Sequence, residues 1–189
     1  MKSHYLANKL LDLRYGGAGW TPPPTVYLAR IVAPAWAAAA VIALNSYVYE
    51  AGRIFKATTG GTTGGGAPAW PNVDGGTVAD GSVVWTEQTI ALRAGLPSAL
   101  ECSSAAYARQ AITNNATNFP NAVNGGKGLA LPVAFATETN PAGRTVGFAL
   151  FDQLTGGNLL DIAFSQTPKD FVAFDKCDVP ANSLTFTET

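Results

Sequence analysis

Between Arg144 and Phe164 the chain reads RTVGFALFDQLTGGNLLDIAF, with Val146, Phe148 and Leu150 at alternate positions before Thr155-Gly156-Gly157-Asn158 and Leu160, Ile162 and Phe164 after it. Two period-2 runs around a turn-forming tetrapeptide predict a β-hairpin. Its large side chains share one face, opposite Thr145, Gly147, Ala149, Asp161 and Ala163. That face needs a second layer, which makes an antiparallel β-sandwich the expected frame.

Elsewhere the periodicity changes. Tyr5, Leu6, Leu10 and Leu13 recur at helical spacing after Ser3 and before Gly16-Gly17, predicting a short amphipathic helix over 5–15 with Ser3 as its cap. Pro22, Pro23 and Pro24 enforce an extended entry into TVYLARIVA, a strand over 25–33. Further strands are expected at 107–113, with Tyr107, Arg109 and Ala111 on one side, at 129–137 with Pro132 at an edge or bulge, at 170–176 and at 183–187. The Asn- and Gly-dense NNATNFPNAVNGGKG between the first two of these reads as loop.

From residue 35 to 88 the texture is different, and the stretch reads as an insertion. Residues 47–50 and 53–58 predict a hairpin across Ala51-Gly52, and 81–86 a third strand carrying Trp85. GGTTGGG reads as a flexible loop, and so short a segment needs Trp36, Trp70 and Trp85 to supply most of its core. The expected organisation is therefore a main domain of 1–34 and 89–189 with a small β module at 35–88.

Composition narrows the function classes. Of 189 residues 47% are hydrophobic and only 13% charged, with 20 glycines and 12 prolines, a profile of strands joined by tight turns rather than a helical bundle. Twelve Lys and Arg against thirteen Asp and Glu leave no basic field for nucleic acid. A weakly charged surface suits packing against neighbours. The longest apolar run, 35–44, is about half of what a bilayer span needs, and MKSHYLANKLLDL lacks the apolar core of a signal peptide. No membrane partner is expected, and synthesis in the cytoplasm is. Cys102 and Cys177 are taken as free buried thiols, with a bridge left open for an oxidising exterior.

Several stretches, YLANKLLDL with TPPPTVYLA, then YARQAITNNATNFP, then TVGFALFDQLTGGNLL with TPK, and finally SLTFTE, together resemble small tailed-phage virion proteins, labelled tail-fibre-like or capsid decoration proteins. The likeness spans 3–33 and 107–188. In the insertion, Pro68, Trp70, Pro71, Thr77, Val78, Asp80, Gly81 and Trp85 match a short module that resembles those of phage tail, fibre and surface proteins. The resemblance implies a place on the virion exterior and says nothing of catalysis.

Candidate chemistry is sparse. One histidine, His4, stands at a helix start, so neither a Ser-His-Asp triad nor a multi-histidine metal site can form around it. Asp152 and Asp161 flank the central hairpin, where a glycosidase pair is conceivable but turn hydrogen bonding is the ordinary role. Asp74 and Asp80 lack the dense acidic run of a calcium loop, and TTGGGAP lacks the Lys-Ser/Thr of a phosphate cradle. Trp36, Trp70 and Trp85, as core, protein contact or glycan platform, join Trp20, Pro22, Pro23 and Pro24 as the candidate interaction surface. The helix is read as a lid over the sandwich or a partner-binding arm.

The reading is thus a non-enzymatic virion protein without cofactor or metal, an all-β sandwich of jelly-roll type. Its first expected role is as a decoration (cement) protein bound to the major capsid protein or other virion proteins, forming a homo-oligomer, dimer or trimer. The other role is a tail-fibre or baseplate component whose insertion binds a host-surface glycan.

Overall fold

The computed structural model describes residues 1–17 and 19–187; the last two residues assigned to the main domain lie outside them. The fold is all-β with one short N-terminal helix, α1 (His4–Arg14). Ser3 caps α1, its Oγ accepting from Leu6 N at 3.0 Å. The Ser3 hydroxyl also donates to the Leu159 carbonyl, tying the helix start to the sheet. Only the first turn docks: Tyr5 and Leu6 pack against the core, while Leu11, Leu13 and Tyr15 are exposed.

A four-stranded antiparallel sheet forms the centre. Its order is β12 (Leu159–Phe171), β11 (Gly143–Phe151), β1 (Thr25–Val32), β8 (Gln110–Thr113). Both faces are buried. On β1, Val26 and Leu28 enter one core while Ala29 and Ile31 enter another. The first core is closed by β10 (Val133–Thr137) with β13 (Lys176–Val179), and by β9 (Gly126–Gly128) with β14 (Thr185–Thr187). Two two-stranded ribbons thus stand where a jelly roll has a second four-stranded sheet. The second core takes Leu92 and Leu100 from two 3-10 turns, and Tyr49 and Ile54 from residues 35–88.

Residues 35–88 hold a ribbon of β2 (Val41–Ile42) and β5 (Gly61–Thr62), and a sheet ordered β3 (Tyr47–Glu50), β4 (Arg53–Thr59), β7 (Val83–Glu87), β6 (Thr77–Asp80). Val48, Phe55, Ala57, Val83 and Trp85 make a third core.

Several expected elements shift, each for a physical reason. The central hairpin does not keep its large residues on one face. One extra residue on β12 between Leu150↔Asp161 and Phe151↔Leu159, and three more between Thr145↔Lys169 and Gly147↔Phe164, break the register with β11, and one extra residue on β11, Val146, breaks it with β1 between Ile31↔Gly147 and Val32↔Thr145. Each such bulge flips the following side chains, so Leu150 and Leu160 enter the first core and Val146 and Ile162 the second. Gly147 sits at this irregularity, where a Cβ would lie 2.5 Å from the Ala163 carbonyl oxygen. Tyr107 and Arg109 precede β8 instead of lying in it, because both are bound to Glu101. The strand expected at 129–137 starts only after Pro132, which has no N–H to give a ladder. Lys127 and its glycine neighbours, expected in a loop, form β9. The strand expected at 170–176 is the end of β12, a turn, and the start of β13. Gly81, expected in a strand, is the turn between β6 and β7 at φ +61°, where a Cβ would strike the Thr62 carbonyl oxygen at 2.3 Å. GGTTGGG is not free loop: β5 pairs with β2, and Gly64 N donates to Asp80.

Candidate interaction site

The proline run is fixed before it reaches the sheet. Asn114 donates from Nδ2 to the Pro23 carbonyl at 2.9 Å and from its backbone N–H to the Pro24 carbonyl at 2.8 Å. Held this way, Trp20, Pro22 and Pro23 form one wall of a groove of about 430 Å³. Leu6 of α1 and Val26, Leu150, Leu160, Phe119 and Phe186 supply most of its remaining apolar lining. This volume is in the range of sites that take a drug-sized molecule or several side chains. Its charged members are Asp161 and Lys127. Asp161 lies 3.0 Å from the N-terminal amine of Met1; burial holds its carboxyl above the usual value, with that amine pulling the other way. Lys127 has no ion-pair partner among the described residues.

A second pocket of about 300 Å³ lies on the other side of Trp20, between Tyr5, Pro23, Asp152 and Gln153. Arg109 builds its floor indirectly. Its guanidinium stacks 3.5 Å over the Phe151 ring and donates to the carbonyls of Gln153 and Gly156, fixing the hairpin loop. Glu101 grips the same guanidinium at two points, 2.8 Å each. Burial raises the Glu101 carboxyl and the bonds from Arg109 and Tyr107 outweigh it, so the net direction is down. Burial, with Glu101 beside it, pushes the Tyr107 hydroxyl far above its ordinary value.

Asp152 and Asp161 open into different pockets, and both Asp152 oxygens accept from Asn158, at 2.6 and 2.7 Å. The glycosidase reading therefore has no shared cleft. Asp80 is a structural acceptor as well. Its carboxylate takes the indole N–H of Trp36 (2.7 Å), that of Trp85 (2.9 Å) and the Gly64 N–H (2.7 Å). Burial raises the Asp80 carboxyl, but those three bonds outweigh it and hold it below the ordinary range. Asp74 is exposed on a turn away from this cluster of bonds, and no group of three metal-type ligands converges among the described residues. His4 is exposed at the helix start, and Cys102 and Cys177 are free and buried, with burial pushing the Cys177 thiol up to about 11.

The tryptophans divide. Trp85 is wholly buried and belongs to the module's core, so it offers no face to a partner. Trp70 packs on Phe55 at 4.6 Å and on Trp85 at 6.1 Å, and Trp70 and Trp36 remain half-buried. Pro24 is exposed but does not line the groove. The buried network around Arg30 was missed by sequence reasoning. Arg30 pairs with Glu138, donates to Thr145 Oγ1, and lies 4.6 Å over the Phe171 ring; Ser104 donates to Glu138 at 2.6 Å. A lone arginine inside the apolar strand TVYLARIV was the available signal, since an unpaired buried charge is not tolerated.

Comparison with protein families adds the decisive observation: residues 89–187, just over half of the chain, match the family described as Podophage GP4 fiber I protein gp80. The chain belongs to this family. It is accordingly a phage virion structural protein of the fibre type. Comparison with curated proteins finds no match. The gp80-family match begins two residues after β7 and covers β8 to β14; β1, which joins β11 to β8, lies outside it.

Proposed function

We propose that this gp80-family chain is a non-enzymatic tail-fibre component that works by fitting against neighbouring virion proteins. The family match carries the reading. The groove beside Trp20, Pro22 and Pro23 supports it, as a preformed apolar surface at one end of a rigid sheet. In the same reading the chain divides into a main domain of 1–34 and 89–189 and a displayed module of 35–88, whose half-buried Trp36 and Trp70 are the candidate contacts for a host-surface glycan. A decoration role on the head, bound to the major capsid protein, is the second reading, favoured by the weakly charged chain.

Copy number in purified virions separates the two. A fibre component is expected at a small fraction of the major capsid protein, whereas a shell-wide abundance comparable to that protein would replace the first reading with the second. Glycan binding by the full chain is checked in parallel: Trp70→Ala should abolish retention on host polysaccharide, and equal retention would remove the glycan role.

A further inference from the structure

Phe174 combines two features that are individually unfavourable. It is an aromatic residue at φ +70°, and its side chain is 85% exposed. A bulky residue in the left-handed region is a strained outlier, and no described residue covers the ring. The turn that carries it is stiff: Phe174 N donates to the Glu138 carbonyl at 2.7 Å, Glu138 N to the Asp175 carbonyl at 2.8 Å, and Asp175 N to the Val172 carbonyl at 3.1 Å. Val172, 57% exposed, stands beside it. The result is a rigid apolar knob.

The groove lies at the other end of the same strands. Leu150 and Leu160 line it, whereas Gly143↔Phe171 closes the far end of the β11–β12 pair. Seven residues of β-strand separate the two ends, roughly 20–25 Å. Charge is complementary as well. The knob's surroundings carry Lys169 and Lys176 against Asp170, Asp175 and Asp178; the lysines pair with Asp175 and Asp178, and Asp170 has no ion-pair partner among the described residues. The groove offers the unpaired Lys127, its Asp161 being neutralised by the Met1 amine. Val123, 71% exposed, does not line the groove but follows the lining residue Ala122 and precedes Gly125 in the chain.

We infer that the Val172–Phe174 turn of one copy seats in the Trp20–Pro23 groove of a second copy of this chain. Such a contact is heterologous, so each copy uses one end as plug and the other as socket, and the assembly closes into a ring or runs on as a stack. The inference concerns contacts between copies and stands wherever on the virion those copies sit.

Sedimentation of the full chain over a range of concentrations tests it. The wild type should grow in mass with concentration. Phe174→Ser removes the plug and Val123→Asp puts a charge beside the socket; both sites are exposed and should leave the fold intact. Each variant alone should associate roughly tenfold more weakly or worse. Mixed in equal amounts they should form dimers and nothing larger, because one intact plug meets one intact socket. A wild type that stays monomeric, a Phe174→Ser chain that associates normally, or a mixture that stays monomeric would each overturn the inference.

Discussion

Within residues 35–88 the buried carboxylate of Asp80 is met by three neutral N–H donors, from Trp36, Trp85 and Gly64, lying 44, 5 and 16 residues away in sequence. In the main body the buried carboxylate of Glu138 is met by the guanidinium of Arg30, 108 residues away, and the hydroxyl of Ser104, 34 away. At Asp80 the burial problem is solved by nearby residues and without a countercharge, whereas Glu87 in the same segment pairs with Arg53 at 3.3 Å. The main body solves it by bringing distant segments into one ion pair, with Thr145 and the Phe171 ring completing the arginine's surroundings. Removing one partner of a buried ion pair leaves a desolvated charge behind, whereas removing the Asp80 carboxylate leaves only neutral N–H donors unmet, which costs less. The two regions should therefore differ in what breaks them.

The largest effect is expected from separating them. Excising 37–87 and bridging the ends with a short Gly-Ser loop removes Tyr49 and Ile54 from the core they share with Ala29, Ile31 and Val146. It also removes the Tyr49–Phe164 stacking and the Arg144 bond to the Tyr49 carbonyl. The main domain should remain folded by far-UV circular dichroism but lose about 3–6 kcal/mol, from two buried side chains at roughly 1.5–3 each. Aggregation without cooperative unfolding would show that the two regions are one unit.

Next comes Glu138→Ala, which strands Arg30 and should cost about 3–5 kcal/mol in urea denaturation. A double variant with Arg30→Met should recover part of that loss, since no charge is left unpaired. If the single and double variants are equally unstable, the ion pair is not what binds these segments.

Asp80→Ala leaves three donors unmet and should cost about 1–3 kcal/mol, read by tryptophan fluorescence. The same group gives the module a pH dependence. Its folded value lies below the ordinary 3.8, so its contribution is complete above that value and is lost as the pH falls through the folded one. Glu101 in the main body follows the same sign, whereas the raised Asp161 runs the other way, stabilising as it becomes protonated. Acid unfolding followed by tryptophan emission should therefore be blunted in Asp80→Ala, and an unchanged acid transition would contradict the assignment.

The smallest effect is at the helix. Ser3→Ala removes the cap on Leu6 and the bond to the Leu159 carbonyl, and should cost about 1 kcal/mol by thermal unfolding.

The same contrast explains what could be read from the sequence. The Ser3-capped helix, the strand after Pro24 and the hairpin across Ala51-Gly52 are specified by residues close together, and they stand where spacing puts them. The central hairpin was found, but not its faces, because the bulges at Leu160 and after Phe164 depend on what lies on both sides of the sheet. Gly126-Lys127-Gly128 has no apolar residue to mark a strand and becomes one only by pairing with Thr185–Thr187. Trp20, Pro22 and Pro23 were identifiable from composition. That Phe119, Lys127 and Phe186 complete their groove follows from pairings that cross the whole chain.

The most direct test is a density map of the intact virion with this chain located in it. The chain should lie in a fibre attached to the tail, with its groove filled by a protein segment. Density that puts it as a lattice over the head shell, or a groove that faces open solvent in the assembled particle, would contradict it.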